Sequence, residues 1–460
     1  MKIEIYKIKP MKILPFITMV FLVFINLNSF AQPNWAEIKS NATFIVEDPT
    51  YLTPQIQPLN VGGWEDGLYI TRDGKHLFST YLPVDAFSWL YDLVLDPFCF
   101  DFTPYYRGPL LDIDTVTNIL GCEHYMQSDI VIASKTDILA PFINWESSNL
   151  QTSFSFEGGA QGVLLDENTF DVFVYTVDGP ESEGVDLMFM KNVPINPTTE
   201  TAVPILVSEG AEDNPHIERL NDSTLILLFD RDRSIYYSHS YDNGDNWEAP
   251  TLITNVLNDD APFDVQPHLW QDGDNWWVYF CATNDFGVRC IYKSKQLIAN
   301  DWDSWDEKEL VITPGHIEGE YGTIFAIGEP TLTTWGDLSF VVVYGNNSLD
   351  DSTDVYDCDP WILYKRDSPL LGINKKTSLQ KELNVFPNPF TDFTTIQFSE
   401  ELTGKNQLII RDIQGKKVFQ AVNITGNEYI FRNNGLEAGI YLLSVVQEDK
   451  LIYNTKLIAA

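Results

Sequence analysis

The chain is poor in positive charge. It carries 29 Lys and Arg against 66 Asp and Glu, a formal net charge of −37. The leader and the last residues are close to neutral, so the acidic excess falls on residues 32–374. Such a surface repels phosphate backbones and anionic lipid, which argues against nucleic-acid and membrane binding. Long apolar runs are also missing. Ile13–Leu27 is the one extended run, and nothing after it is long enough to cross a bilayer as a helix. Cysteine is sparse, five in 460 residues, with no CxxC or His-Cys spacing of the kind that holds structural zinc. No Gly-rich nucleotide fingerprint, Ser-His-Asp order or HExxH motif is present.

What is present points to an exported protein with a large core. Hydrophobic residues make up 44% and aromatics 13%, far from a disordered composition. Lys7, Lys9 and Lys12 precede the Ile13–Leu27 run, and Ser29-Phe30-Ala31 offers small residues for cleavage. This reads as a signal peptide over residues 1–31, with Met11 as an alternative start, rather than as an anchor. The mature chain is expected to be free of membrane insertion. Five cysteines suit an oxidising compartment. Cys281 and Cys290 have a spacing that would close a hairpin, Cys99 and Cys122 would staple a long insertion, and Cys358 is left over. The connectivity is open.

Residues 384–460 carry ordered submotifs: Asn384-Val385-Phe386-Pro387-Asn388-Pro389-Phe390, then Ile410-Arg411-Asp412-Ile413-Gln414-Gly415, then Leu436-Glu437-Ala438-Gly439-Ile440-Tyr441 and Lys456-Leu457-Ile458. Short alternating strands separated by turn residues describe a small antiparallel sandwich. The segment resembles the C-terminal sorting domain of the type IX secretion system of Bacteroidetes. The resemblance implies the type IX machinery as a partner, and export to the cell surface or the medium. It says nothing of the cargo's chemistry. Residues 373–383 read as the linker before it.

The interval 32–372 repeats weakly. Each copy has an acidic or turn residue, an apolar strand, a polar turn and a second apolar strand, followed by a third. The copies begin near Glu65, Gly159, Asp213, Asp264 and Gly328. Four antiparallel strands per repeat at a period of about 50–60 residues is the signature of propeller blades. The expectation is an all-β chain: a five-bladed β-propeller, alternatively six-bladed, then the small sandwich. The strand Ala42–Val46 is expected to close the ring by completing the last blade. Ser240-Tyr241-Asp242-Asn243-Gly244-Asp245-Asn246-Trp247 matches the Asp-box pattern S-x-D-x-G-x-x-W of sialidase-like propellers. In this motif Ser240, Asp242, Gly244 and Trp247 are structural: the carboxylate accepts turn amides, Gly takes positive φ and Trp covers the hairpin. Asp73-Gly74-Lys75 and the Pro-containing blade starts also resemble TolB-like propellers. The arginine motif of sialidases is missing, which argues against sialic acid.

In propeller enzymes the first residues of the innermost strands face a shared funnel. Here those residues are Asp66, Gln161, Asp213, Asp264 and Glu329. Converging carboxylates are what glycoside hydrolysis requires, one protonated as acid and another ionised as base or nucleophile. The expected catalytic set is Asp66 as base, Glu329 as acid and Asp264 as second carboxylate, with Asp213 in reserve. Asp213, His216, His268 and Trp89 are the candidate binding residues. Trp89 lies in the aromatic insertion of residues 82–128, which would wall the funnel, pack as its own loop or form a sixth blade. The acids of Asp350–Asp359 are oxygen-rich enough for calcium, but their spacing matches no EF-hand, so no metal or other cofactor is assigned. The expected function is a secreted glycan-active hydrolase or lyase; the alternative is a propeller that only binds carbohydrate or protein.

Overall fold

The computed structural model describes residues 34–85, 107–109, 111, 128–152, 155–178, 185–206, 211–258, 265–285, 287–315, 324–345, 356–371, 383–412, 416–433, 435–447 and 450–459. The signal-peptide reading, Trp89, Cys99, Cys122 and Asp264 lie outside these residues. The chain divides into two compact units, residues 1–368 and 369–460.

The first unit starts with helix α1 (Trp35–Ser40) and strands β1 (Phe44–Val46) and β2 (Gln55–Ile56). Five antiparallel blades follow. Blade 1 is β3 (Trp64–Ile70), β4 (His76–Leu82), β5 (Asp129–Ser134) and β6 (Glu146–Ser147). Blade 2 is β7 (Phe156–Asp166), β8 (Thr169–Asp178), β9 (Asp186–Pro194) and β10 (Val203–Ile205). Blade 3 is β11 (Glu212–Arg219), β12 (Leu225–Arg231), β13 (Ser234–Ser240) and β14 (Thr251–Leu252). Blade 4 is β15 (Val265–Asp272), β16 (Asn275–Thr283), β17 (Arg289–Lys295) and β18 (Glu309–Pro314). Blade 5 is β19 (Ile324–Leu332), β20 (Leu338–Gly345) and β21 (Tyr356–Leu363).

The ring closes at five. A parallel bridge between Cys358 and Trp64 joins β21 to β3, so blade 5 meets blade 1 directly. The long insertion leaves from the β4–β5 hairpin, whose strands pair with each other from Tyr81–Asp129 onward, so it is an excursion within blade 1 and adds no sixth blade to the ring. Closure differs from the expectation in one respect. β1 pairs with β18 and becomes a fifth strand of blade 4, while β2 pairs with β21 and supplies the fourth strand of blade 5. The sequence offered Ala42–Val46 because it alternates. Gln55–Ile56 is too short to show a period.

The core lies between blades, because each blade sheet is apolar on both faces. Phe78, Phe170, Phe173 and Tyr175 fill the gap between blades 1 and 2, and Leu228, Phe280, Trp302 and Trp305 the gap between blades 3 and 4. The turn after β13 is tied locally. Asp242 accepts from Ser240 Oγ (2.9 Å) and from the Asn246 backbone (2.8 Å), and Gly244 takes φ 86°. A Cβ on Gly244 would meet the Phe189 ring at 2.4 Å, and Trp247 packs edge-on against that ring.

The expected Cys281–Cys290 disulfide is not formed; both thiols are free and buried. Cys281 pairs with Ile291 and Cys290 with Ala282, so the two side chains point to opposite faces of the blade. Cys290 bonds Thr313 Oγ1 at 3.1 Å instead.

The second unit is a two-sheet sandwich. One sheet orders β22 (Leu383–Phe386), β23 (Phe393–Leu402) and β26 (Gly426–Arg432). The other orders β25 (Lys417–Val422), β24 (Asn406–Asp412), β27 (Gly439–Gln447) and β28 (Lys450–Ala459). Ile396, Leu408, Phe431, Leu443 and Leu457 form its core.

Candidate active site

Every innermost strand carries a β-bulge near its start, and every bulge holds one residue in the left-handed region. The register shifts lie between Asp66 and Tyr69, Gly158 and Gln161, Asp213 and His216, Val265 and His268, and Gly328 and Thr331. The left-handed residues are Gly67 (φ 55°), Gly159 (55°), Asn214 (48°), Gln266 (60°) and Glu329 (55°). Blades 1 and 2 use glycine, which adopts this conformation freely. Blades 3, 4 and 5 place a polar side chain there at a cost of about 1–3 kcal/mol each, a pattern associated with functional sites.

This frame corrects the sequence alignment of the blade starts. Asp66 and Asp213 immediately precede the left-handed residue and are equivalent, and Glu329 is itself the left-handed residue of blade 5. Gln161 sits two positions after its glycine. In blade 4 Val265 holds the place of Asp66 and Asp213, and Asp264 lies outside the described residues. One residue earlier, blades 1, 2 and 3 carry Glu65, Glu157 and Glu212. Those acids are 0–1% exposed and serve the blade packing. Glu65 accepts from Trp145 Nε1 (2.6 Å) and Val61 N (3.1 Å), Glu157 from Thr152, and Glu212 from Arg231 Nε (2.8 Å).

Asp66, Asp213 and Glu329 therefore come from blades 1, 3 and 5, and their charges act on one another. Asp230 of β12, opposite Asp213 in register, lies beneath them. Asp230 accepts from the Gln266 backbone N–H (3.0 and 3.1 Å) and from Asn214 Nδ2 (2.8 Å). Gln266 Nε2 in turn donates to Glu329 Oε1, and the Glu329 backbone N–H donates to Gln266 Oε1 at 3.2 Å.

The electrostatics divide the acids. Burial, then Asp66, Asp213 and Asp230, holds the Glu329 carboxyl well above the usual range against the pull of Arg289. Asp66 is pushed up to about 7 by burial and by Asp213, opposed by the Trp64 indole that donates to it at 2.6 Å. Asp213 is raised by the surrounding protein and by Asp178, yet its side chain is open to water. Asp230 is raised well above its ordinary value, mainly by burial.

His216 and His268 lie deeper, 2% and 1% exposed, with ring centroids 4.0 Å apart. His268 Nε2 accepts from the Leu332 backbone at 3.1 Å, and burial lowers both pKa values, so both rings stay neutral. At the far end of β3, Arg72 bonds Glu218 and the carbonyls of Leu332 and Leu269. His216 Nε2 lies 3.4 Å from Glu218 Oε1, so the histidine pair is tied into this buried group at the propeller axis. The residues that the sequence reading missed are Asp230, Asn214, Gln266 and Arg289. An acid ending the apolar run Leu225–Phe229 was a readable signal for Asp230; nothing marked Arg289.

The axial cavity at this level is lined by Gly67, Gly159, Asn214, Gln266 and Glu329, by Gln161 and by the residues following the other four, and measures ≈ 10 Å³, about one water. A larger cavity of ≈ 480 Å³ lies on the rim of blades 2 and 3, lined by Pro204, Arg231, Trp247 and Pro250, away from the carboxylates. Among the described residues no group of three or more His, Cys, Asp or Glu is arranged to hold a metal ion. Of the acids in the loop considered for calcium, Asp357 and Asp359 turn to Lys39 Nζ at 2.6 and 2.7 Å.

Comparison with known proteins adds the following. No curated protein matches the chain. Among solved structures, it is similar to the catalytic domain of a Coprinopsis cinerea GH62 α-L-arabinofuranosidase (11% identity, 68% of this chain and 95% of that one, TM-score 0.38). It is also similar to a Bombyx mori GH32 β-fructofuranosidase (13%, 92% and 91%, 0.38). A third is an exo-β-1,3-galactanase from Phanerochaete chrysosporium (9%, 88% and 100%, 0.36). Residues 384–460 match the family described as Secretion system C-terminal sorting domain, the type IX sorting module that sends its cargo to the cell surface or exterior.

Proposed function

We propose that the propeller is a secreted glycan-active hydrolase working by carboxyl acid–base chemistry. The observation that carries this reading is the convergence of Asp66, Asp213 and Glu329 from three blades, with proton affinities raised and graded by burial and by each other. Glu329 is the proton donor to the leaving oxygen, because its neutral form is favoured most strongly. Asp66, whose anion the Trp64 indole stabilises, is the base that activates water. Asp213, held in reserve from the sequence, is the carboxylate that helps keep the proton on Glu329.

The competing reading is a propeller that only binds. The narrow axial cavity favours it, since a sugar must sit above the carboxylates rather than between them. A screen of soluble polysaccharides for new reducing ends separates the two. Turnover is expected, with Asp66→Asn and Glu329→Gln each lowering it by about 10²-fold or more while the fold is retained. The pH profile should rise through about 7 as Asp66 ionises and fall at higher pH as Glu329 loses its proton. Glycan binding without product would establish the binding reading instead.

A further inference from the structure

We infer that Gln266 is a positioning residue for Glu329: it fixes which carboxyl oxygen carries the proton and aims that oxygen toward the funnel. The inference rests on the hydrolase reading for its kinetic consequence, and on geometry alone for its structural one.

The amide orientation is settled by its partners. The Glu329 backbone N–H can only donate, so it faces Gln266 Oε1, and Gln266 Nε2 must then face Glu329 Oε1. In a neutral carboxyl the carbonyl oxygen is the better acceptor, so the amide donor selects Oε1 as the carbonyl oxygen and Oε2 as the one that carries the proton. Gln266 is itself fixed from below, since its backbone N–H donates to both oxygens of the buried Asp230. The chain of contacts runs from Asp230 in blade 3 through Gln266 in blade 4 to Glu329 in blade 5.

Two further observations point the same way. Gln266 stands at φ 60°, where glycine would be unstrained and where blades 1 and 2 do use glycine. A side chain kept in that conformation is retained against the local preference. Gly328 also leaves room for it, since a Cβ there would meet Gln266 Oε1 at 2.9 Å. The charged and titratable groups around Glu329 are Asp66 on β3, Asp213 on β11, Asp230 on β12, Cys281 on β16 and Arg289 on β17. Of these, Cys281 also meets the Glu329 backbone; the side-chain bond to the Glu329 carboxyl comes from Gln266.

The test uses the full chain with Gln266→Gly. Glycine suits the backbone and keeps the N–H bonds to Asp230, so only the side-chain contacts are lost. We expect kcat to fall about tenfold or more with KM changed less than about threefold. The alkaline limb of the pH profile should move together with the Glu329 titration midpoint, read by carbon-13 NMR and assigned with Glu329→Gln. The melting temperature should hold or rise, which a merely structural glutamine would not allow. Gln266→Asn also tolerates this conformation, is one methylene too short to bridge, and should behave likewise. An unchanged Glu329 midpoint in both folded variants would overturn the inference, whatever the activity. If the wild type turns over no glycan while the midpoint still moves in Gln266→Gly, the hydrolase reading fails and the positioning role stands.

Discussion

Lys39 shows what a single residue does in this propeller. From α1 it reaches between Asp357 and Asp359, whose side chains are 2% and 0% exposed. One cation cannot neutralise two buried carboxylates. Burial pushes Asp359 up to about 7 against the pull of Lys39, and raises Asp357 as well. Glu65, adjacent and fully buried, is raised well above its usual range by burial and by Asp359. Removing Lys39 would leave the carboxylates without their counter-charge, the situation in which a broken buried pair costs about 3–5 kcal/mol. Lys39→Met is therefore expected to lower the urea midpoint substantially, and Lys39→Met with Asp357→Asn to recover part of the loss. An unchanged midpoint in the single variant would show that water replaces the lysine at no cost.

At the scale of elements, the ring is held shut by the least conspicuous strands. β1 adds Phe44–Val46 to the outside of blade 4, and Phe44 packs on Phe340 and Trp361 of blade 5. β2 contributes two residues, paired with Trp361 and Ile362, and Tyr51 between the two strands bonds Tyr279 and the Gly336 carbonyl. The segment thus bridges blades 4 and 5 as well as closing the ring. Deleting residues 34–46 exposes the β18 edge and removes the Lys39 contact together. It should lower the melting temperature more than Lys39→Met does and make blade 4 susceptible to limited proteolysis. If the deletion and the point variant melted alike, β1 would add nothing beyond the lysine.

At the scale of the whole molecule, buried acids give an unusual dependence on pH. Glu157 is pushed up to about 10 by burial and by Asp129, while Glu65, Asp230 and Glu329 stand well above their ordinary values. The folded state holds these protons more tightly than the unfolded state. Their stabilisation is complete below about pH 4 and is lost as pH rises towards the folded values. His216 and His268, with lowered pKa values, act in the opposite sense below about pH 6.5, and Lys135, lowered to about 8 and joined by Lys365, which burial also lowers, opposes at the alkaline end. Between pH 7 and about 9 the acids outnumber these lysines, so the melting temperature should fall at constant ionic strength. Glu157→Gln should flatten the fall by the slope of one group, about 1.4 kcal/mol per pH unit. A melting temperature that rose over this interval would mean these acids are ionised in the folded protein.

Local pattern was enough for the sorting module, the five repeats and the turn at Ser240–Trp247, because each is written in neighbouring residues: strand alternation, turn chemistry, ordered submotifs. It also brought Asp66, Asp213 and Glu329 into view. Tertiary structure decided which acids share a site. The distinction between Asp66 and Glu65 is a one-residue offset set by the bulge, and such an offset turns a side chain from the funnel to the blade packing. Asp230 and Gln266 join the site only through contacts between blades. The free thiols of Cys281 and Cys290 follow from strand register, and the closure by Gln55–Ile56 from ring geometry. None of these is a property of any short stretch of chain. They arise where the five copies meet around a common axis.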